Sequence, residues 1–228
     1  MKDYTVQLFE MLVKKPAIGL SVDIQKKARE DCEMFVRNGG EEVSVERVMI
    51  EFGKHAWPYW QAYHVFFDRF GTEKEGEFIL DILPEALAKK YTDFLAKGGS
   101  IHNFRAGQDY EDAFTSDEDL AIQNATVEAR EAVTDFIIRL IEGGDKKTEY
   151  DALVVSYQDE RDAVLAILGQ LQNIATSHEK WSEEVLQDIY YIEKGFAELE
   201  ERPTKDKAQG RLDWYLGQID TEEVGIFS

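Results

Sequence analysis

The sequence predicts an all-α protein, a multi-helix bundle of about seven to nine helices with one long central helix and no significant sheet. Only four prolines occur in 228 residues. Apolar residues recur every three or four positions, which is the spacing of one face of an α-helix. No segment combines the alternating polarity and the turn residues that a β-hairpin needs. Together these observations favour helices along the whole chain.

The first two predicted helices occupy the N-terminal forty residues. One is expected over Tyr4–Lys14, and Pro16 ends it because proline cannot continue a helix. The second begins near Ser21, whose hydroxyl can cap free N–H groups. It ends at Gly39–Gly40, since glycine adopts the left-handed conformation of a helix stop at little cost.

The third segment is the richest in aromatic residues. It begins after Ser44, and its apolar positions keep helical spacing past Pro58. One long helix kinked between Gly53 and Pro58 fits this pattern, and so do two separate helices. The unbroken phase of the apolar face favours the first. Thr72 and Glu75 then form a capping-box pattern, which predicts a new helix start.

Proline and glycine also punctuate the middle of the chain. Pro84 predicts a kink or a break in the helix after Thr72, and that helix resumes as far as Lys97. Gly98–Gly99 then stop it. Residues 101–115 are the least regular stretch and are predicted to form a loop.

Two long helices are predicted next. Ser116 caps a helix that ends at Glu142, before Gly143–Gly144. Thr148 begins a helix that reaches about Ala175, roughly 40 Å at about 1.5 Å per residue. This helix is the predicted central spine of the bundle.

The last strongly periodic segment starts at Ser182 and ends before Pro203. Its apolar seam alternates steps of four and three residues and consists of Val185, Ile189, Ile192, Phe196 and Leu199. Such a seam packs along another helix, as in a bundle or a coiled coil. The partner helix can belong to this chain or to a second copy, so a homodimer through these residues is one alternative. A short helix around Leu212–Leu216 follows.

The charge is distributed unevenly along what is predicted to be a single domain, residues 1–228. Residues 1–100 carry 17 acidic and 14 basic side chains, and residues 101–228 carry 29 and 12. The balance changes near residues 98–116, which is the only plausible place for a subdivision. The formal net charge is −20.

This acidity limits the classes of partner. Nucleic acid and anionic membranes both require concentrated lysine and arginine, so neither is predicted. A basic protein surface would be attracted, although the simplest role of such charge is solubility. Cys32 is the only cysteine, and no run of about 20 apolar residues occurs, so a cytoplasmic protein is expected.

The motifs of common catalytic sites are absent from the sequence. It contains no phosphate-binding glycine loop, no Rossmann glycine fingerprint and no His-Glu-x-x-His pattern. No Glu-x-x-His pair of the di-iron bundles occurs either. We therefore predict no catalytic residue, no metal ion and no cofactor.

The densest group of chemically capable side chains lies around Pro58. If the helix kinks there, a ligand pocket would be lined by Glu51, His55, Tyr59, Trp60, Tyr63 and His64. Glu51 and His55 share a helical face, as do His64 and Asp68. The simpler interpretation is that these are ordinary helical pairs beside an aromatic core. On a straight helix, His55 and His64 would lie half a turn apart.

A second candidate site is acidic. Six acids and no base lie between residues 109 and 119, namely Asp109, Glu111, Asp112, Asp117, Glu118 and Asp119. They can form a docking surface for a basic partner, or they can simply complement the dipole of the following helix. The leading hypothesis is a non-catalytic protein–protein interaction module, such as an inhibitor or adaptor for a basic partner. The alternative is a helical enzyme that binds a small molecule or metal near Pro58.

Overall fold

The computed structural model describes residues 45–96, 117–198 and 205–225, and the protein is all-α, as predicted. Seven α-helices and two short helical turns make up these residues. The helices are α1 (Val45–Phe66), α2 (Thr72–Ile82), α3 (Glu85–Ala96), α4 (Asp117–Glu142), α5 (Lys147–Ser177), α6 (Ser182–Glu198) and α7 (Lys205–Gly225); the turns are a π-helical turn (Phe67–Gly71) between α1 and α2 and a 3-10 turn (Glu179–Trp181) before α6.

The number of separate helices is slightly below the prediction of seven to nine. Because α1, the π-helical turn and α2 follow one another without a break, the described residues contain six uninterrupted helical segments. Two predicted helices, Tyr4–Lys14 and the one that starts near Ser21, lie outside the described residues. None of the described helices is both long enough and apolar enough to cross a membrane.

The chain forms two compact units. The first comprises residues 1–63 and 148–228, and the second comprises residues 64–147. The described part of the first unit holds most of α1 together with α5, α6 and α7. The second holds α2, α3 and α4. The predicted place for a subdivision, residues 98–116, lies outside the described residues.

Helix α1 continues past Pro58, which confirms the preference for one long helix. A proline has no N–H, so the carbonyl of Lys54 loses its usual helical donor. In the structure the guanidinium of Arg161 on α5 donates to that carbonyl, with 3.4 Å from Nη1 to O. Pro58 itself is fully buried. The proline is therefore accommodated by a neighbouring helix within the first unit.

The predicted capping box at Thr72 and Glu75 is wrong. Gly71 has helical dihedral angles, and Thr72 donates its hydroxyl to the carbonyl of Asp68, so the chain does not leave the helix here. Glu75 is buried and accepts from Arg130 of α4, with 3.3 Å from Nε to Oε1. The glycine serves close packing, because a Cβ at Gly71 would lie 2.9 Å from a methyl group of Val133.

The predicted break at Pro84 separates helices α2 and α3 in the second unit. Helix α2 ends at Ile82, Leu83 is extended, and α3 begins at Glu85. Helix α2 packs against α4. One cluster of buried residues in this unit consists of Ile79, Leu83, Leu87, Tyr91, Ile122, Ala125 and Ala129.

The ends of α4 and α5 follow the prediction closely. Helix α4 ends at Glu142, and Gly144 adopts a φ of +89°, the left-handed conformation expected of a glycine after a helix. The 31 residues of α5 span about 46 Å. Helix α5 contributes more side chains to the core of the first unit than any other described helix does.

The core of the first unit joins α1, α5, α6 and α7. Trp57 lies at its centre, 1% exposed, and its ring meets Tyr157 and Phe196 edge-on at centroid distances of 5.6 and 5.7 Å. Tyr63 and Phe66 are buried too, and the other aromatics of residues 57–70 are half-buried. The aromatic-rich segment therefore forms core, as the simpler interpretation expected.

The apolar seam of α6 packs against other helices of the same chain. Val185, Ile189 and Phe196 are buried in the core, and Ile192 packs against it partly buried. Leu199 lies outside the described residues. A homodimer through this seam stays a prediction, although helices of the same chain already cover Val185, Ile189 and Phe196.

Helices α1 and α6 approach each other closely at Gly53. A Cβ on this glycine would lie 2.2 Å from the carbonyl oxygen of Phe196 and 2.8 Å from the Cα of Ala197. Both neighbours are backbone atoms, which cannot rotate away. Only glycine fits here without separating the two helices.

Candidate interaction site

An ion-pair network crosses from α1 to α6 beside this close approach. Glu193, only 8% exposed, accepts from Lys54 at 2.8 Å and also from Arg47. Glu51 binds the same two cations, at 3.1 Å from Arg47 and 2.8 Å from Lys54. Each charge thus has an opposite charge within hydrogen-bonding distance, which a buried carboxylate requires.

The network changes the acidity of Glu193. Desolvation alone would raise its pKa, but the hydrogen bonds and charges of Arg47 and Lys54 outweigh that effect, so its pKa lies below the usual value. The charged form of Glu193 is therefore the form that stabilises the fold.

Replacing Glu193 by glutamine should lower the free energy of unfolding by about 2 kcal/mol at pH 7. Because the pKa is depressed in the folded protein, the contribution is full above the unfolded pKa, about 4.3, and disappears as the pH falls through the folded value. Urea unfolding of wild type and Glu193→Gln at several pH values measures this. The difference in unfolding free energy between the two proteins should begin to shrink as the pH falls below about 4.3 and continue to shrink through the lower folded pKa.

Glu198→Gln is the matched control on the same helix. Glu198 pairs with Lys194 at 3.3 Å on the exposed side, so its replacement should cost less than about 0.5 kcal/mol. A Glu193→Gln effect that is equally small, or that does not depend on pH, would contradict the assigned role of the network.

The residues of the predicted pocket are mostly engaged in helix packing. Glu51 belongs to the ion-pair network. The Tyr59 hydroxyl accepts from Gln158, and the Tyr59 carbonyl accepts from the hydroxyl of Tyr150, each at 3.4 Å. Burial is the main cause that raises the pKa of Tyr150 well above its usual range. This hydroxyl therefore stays protonated and acts as a donor.

The remaining pocket residues are divided between the two units. Trp60 is half-buried against the core, Tyr63 is buried, and His55 is half-buried, all in the first unit. His64, also half-buried, is the first residue of the second unit. Among the described residues, no group of three or more histidine, cysteine, aspartate or glutamate side chains could hold a metal ion.

Half of the predicted acidic docking surface lies outside the described residues. Asp109, Glu111 and Asp112 are outside them, and Asp117, Glu118 and Asp119 form the first turn of α4. Their position agrees with the simpler interpretation, acids at the positive end of a helix dipole. A role in docking stays a prediction.

A different exposed surface emerges on α6 and α7. Most large side chains of the first unit are covered, but five large apolar or aromatic ones on these helices are between 37% and 59% exposed. They are Leu186, Tyr190 and Tyr191 of α6 and Trp214 and Leu216 of α7, here called the α6–α7 exposed set. Exposed aromatic side chains are enriched where proteins bind one another.

Tyr190 and Tyr191 form one part of this set. Their rings lie 5.6 Å apart, and the hydroxyl of Tyr190 donates to Glu46 of α1. This hydrogen bond is the main cause that raises the pKa of Tyr190. Tyr191 is the most exposed member of the whole set, at 59%.

Trp214 belongs to a second group, the aromatic corner, formed by Trp181, Trp214 and Tyr215. Its ring lies 5.5 Å from Trp181 and 4.8 Å from Tyr215, in both cases nearly perpendicular. The amine of Lys180 sits 4.5 Å from the ring centre of Trp181. The indole N–H of Trp181 is buried, and no acceptor among the described residues reaches it.

Two carboxylates, those of Asp188 and Glu184, lie beside Tyr215 of the aromatic corner. The hydroxyl of Tyr215 donates to Asp188 at 2.8 Å, and Arg211 lies 3.5 Å from the same carboxylate. Desolvation, the hydrogen bond to Asp188 and the charges of Asp188 and Glu184 raise the pKa of Tyr215 far above its usual range. Burial is the first of these causes, and the two carboxylates add to it.

Two kinds of functional residue were not singled out from the sequence. Glu193 was passed over because it lies one position from the apolar seam. The exposed aromatics carried a usable signal: neighbouring residues on a helix point about 100° apart, so Tyr190 and Tyr191 cannot both face one core. The same holds for Trp214, Tyr215 and Leu216.

The fold and site define an all-α protein whose first unit displays aromatic side chains on an acidic helical surface. Comparison with known protein families, with curated protein sequences and with solved structures finds no match for this chain.

Proposed function

We propose that the protein is a non-catalytic protein–protein interaction module that binds a basic partner through the outer side of α6 and α7. The observation that supports this is the α6–α7 exposed set. Tryptophan and tyrosine are enriched among the few residues that carry most of the binding energy of protein interfaces.

Charge supports a basic partner. Helices α6 and α7 together carry ten acidic and four basic side chains. Opposite charge on the partner would speed association and fix its orientation, and salt would weaken both effects. An inhibitor or adaptor for a basic protein fits this description. Because Cys32 is the only cysteine, the proposed compartment is the cytoplasm.

The alternative of an enzyme with a pocket near Pro58 gains no comparable support. Glu51 and Tyr59, two of its polar groups, are held by neighbouring helices.

The test is affinity capture with three proteins: wild type, the double variant Tyr191→Ala with Trp214→Ala, and Val155→Ala as control. Val155 is 54% exposed on α5 of the same unit, outside the proposed interface. A true partner should bind wild type and control and lose at least about tenfold in affinity for the double variant. Its binding should also weaken between about 50 and 300 mM salt.

Two results would overturn the proposed function. One is a set of captured proteins that the double variant retains as well as wild type does. The other is a complex whose dissociation constant, measured by titration of the purified partner, does not change with salt.

A further inference from the structure

We infer that Trp214 is the anchor of this interface and that it receives an arginine side chain of the partner on its exposed ring. This inference rests on the proposed function and adds the chemical identity of the group that is recognised. Three properties of the aromatic corner support it.

The ring of Trp214 is both accessible and held in place. It is 46% exposed, and it packs edge-on against Trp181 and Tyr215. Tyr215 is buried in the core, which fixes one side of the corner. A ring that is already positioned loses little conformational entropy when a partner docks on it.

The surroundings favour a cation. Asp213 precedes Trp214, is exposed and accepts a hydrogen bond from the neutral side chain of Gln209, which leaves its negative charge uncompensated by that contact. Glu184 adds negative charge near Tyr215, whereas Asp188 is already shared between the hydroxyl of Tyr215 and Arg211. The chain's own Lys180 already occupies the face of Trp181, the kind of contact that the proposal assigns to Trp214.

Arginine suits such a surface better than lysine does. The guanidinium is planar, is less strongly hydrated than an ammonium group and stacks on aromatic faces, while its N–H groups can still bind carboxylates. Tryptophan is the aromatic residue that binds cations most strongly. A segment with arginine among other basic residues would therefore satisfy both the ring and the acids beside it.

The experiment uses three heptapeptides in which glycine alternates with arginine, lysine or citrulline, titrated into the full chain at low salt. Affinities come from calorimetry, and ¹⁵N spectra follow the indole N–H signals. The arginine peptide should bind most tightly and should shift the Trp214 signal, while the signal of the buried Trp57 should stay in place.

The matched variants distinguish the effect of the aromatic ring on binding from the effect of apolar side-chain size. Trp214→Leu keeps an apolar side chain on α7 but removes the aromatic face. It should lower the affinity for the arginine peptide about fivefold. Val155→Ala, 54% exposed on α5 and outside the proposed interface, should change the affinity less than about twofold. Circular dichroism of both variants reports whether they remain folded.

The outcomes distinguish this inference from the proposed function. Equal binding of the arginine and lysine peptides, with no effect of Trp214→Leu, would mean that charge alone attracts the peptides, and it would overturn the arginine anchor while leaving an acidic interaction module intact. No binding of any peptide would overturn the anchor as well. Failure of the capture test, with peptide binding that depends on Trp214, would overturn only the proposed function.

Discussion

Replacing Gly53 by alanine is expected to lower the free energy of unfolding by about 3 kcal/mol or more. The added methyl group would lie 2.2 Å from the carbonyl oxygen of Phe196, and a backbone oxygen cannot swing aside as a side chain can. Helices α1 and α6 would have to separate, which would also loosen the contacts of Trp57 and Glu193. Equilibrium unfolding in urea, monitored by circular dichroism, gives the difference directly.

Gly169→Ala provides the control of opposite sign. Gly169 lies in the middle of α5, is exposed, and has no atom within 4 Å of the position that a Cβ would take. Alanine should stabilise this helix by about 0.5–1 kcal/mol. If Gly53→Ala were also neutral or stabilising, the close approach of α1 and α6 would not exist in solution.

Replacing Trp57 by alanine should cost about 3–5 kcal/mol of stability. The indole is almost fully buried between Tyr157 and Phe196, so its loss opens a cavity that the two rings can fill only partly. Thermal and urea unfolding should both shift to much lower midpoints. Partner binding should change only to the extent that the variant unfolds.

Tyr191→Ala is the matched aromatic replacement at the surface. With 59% of Tyr191 exposed, its loss should change the free energy of unfolding by less than about 0.5 kcal/mol. The pair of variants thus separates stability from recognition. A Trp57→Ala protein as stable as Tyr191→Ala would contradict the burial of Trp57.

Most helix ends could be predicted from the sequence, because the residues that set them act on the backbone next to them. Gly143–Gly144 and Pro84 act on the backbone around them, so α4 ends and α2 breaks where the sequence indicates. The pattern at Thr72 predicted a helix start wrongly, because the conformation at Gly71 depends on its packing against Val133. That residue lies 62 positions further along the chain. Gly71 remains helical and makes room for Val133 instead of forming a turn.

The exposed aromatic site was less predictable, because it depends on how helices that are distant in the sequence pack together. The spacing of Val185 and Ile189 showed that α6 packs on another helix, but spacing alone does not tell a neighbour in the same chain from a second copy. The aromatic-rich segment near Pro58 was predicted to form core, with a pocket as the alternative, and Trp57 does fill the core; the exposed aromatics Tyr191 and Trp214 lie on other helices. Which aromatic is exposed depends on the tertiary arrangement of α1, α6 and α7.

The proline in α1 also bears on how this chain can change over generations. While residue 58 has no N–H, a mutation of Arg161 removes the donor that α5 supplies to the carbonyl of Lys54. Any other residue at position 58 would bring its own backbone donor and make the arginine dispensable. Among descendants of this protein, loss of Arg161 should therefore follow loss of Pro58 and not precede it.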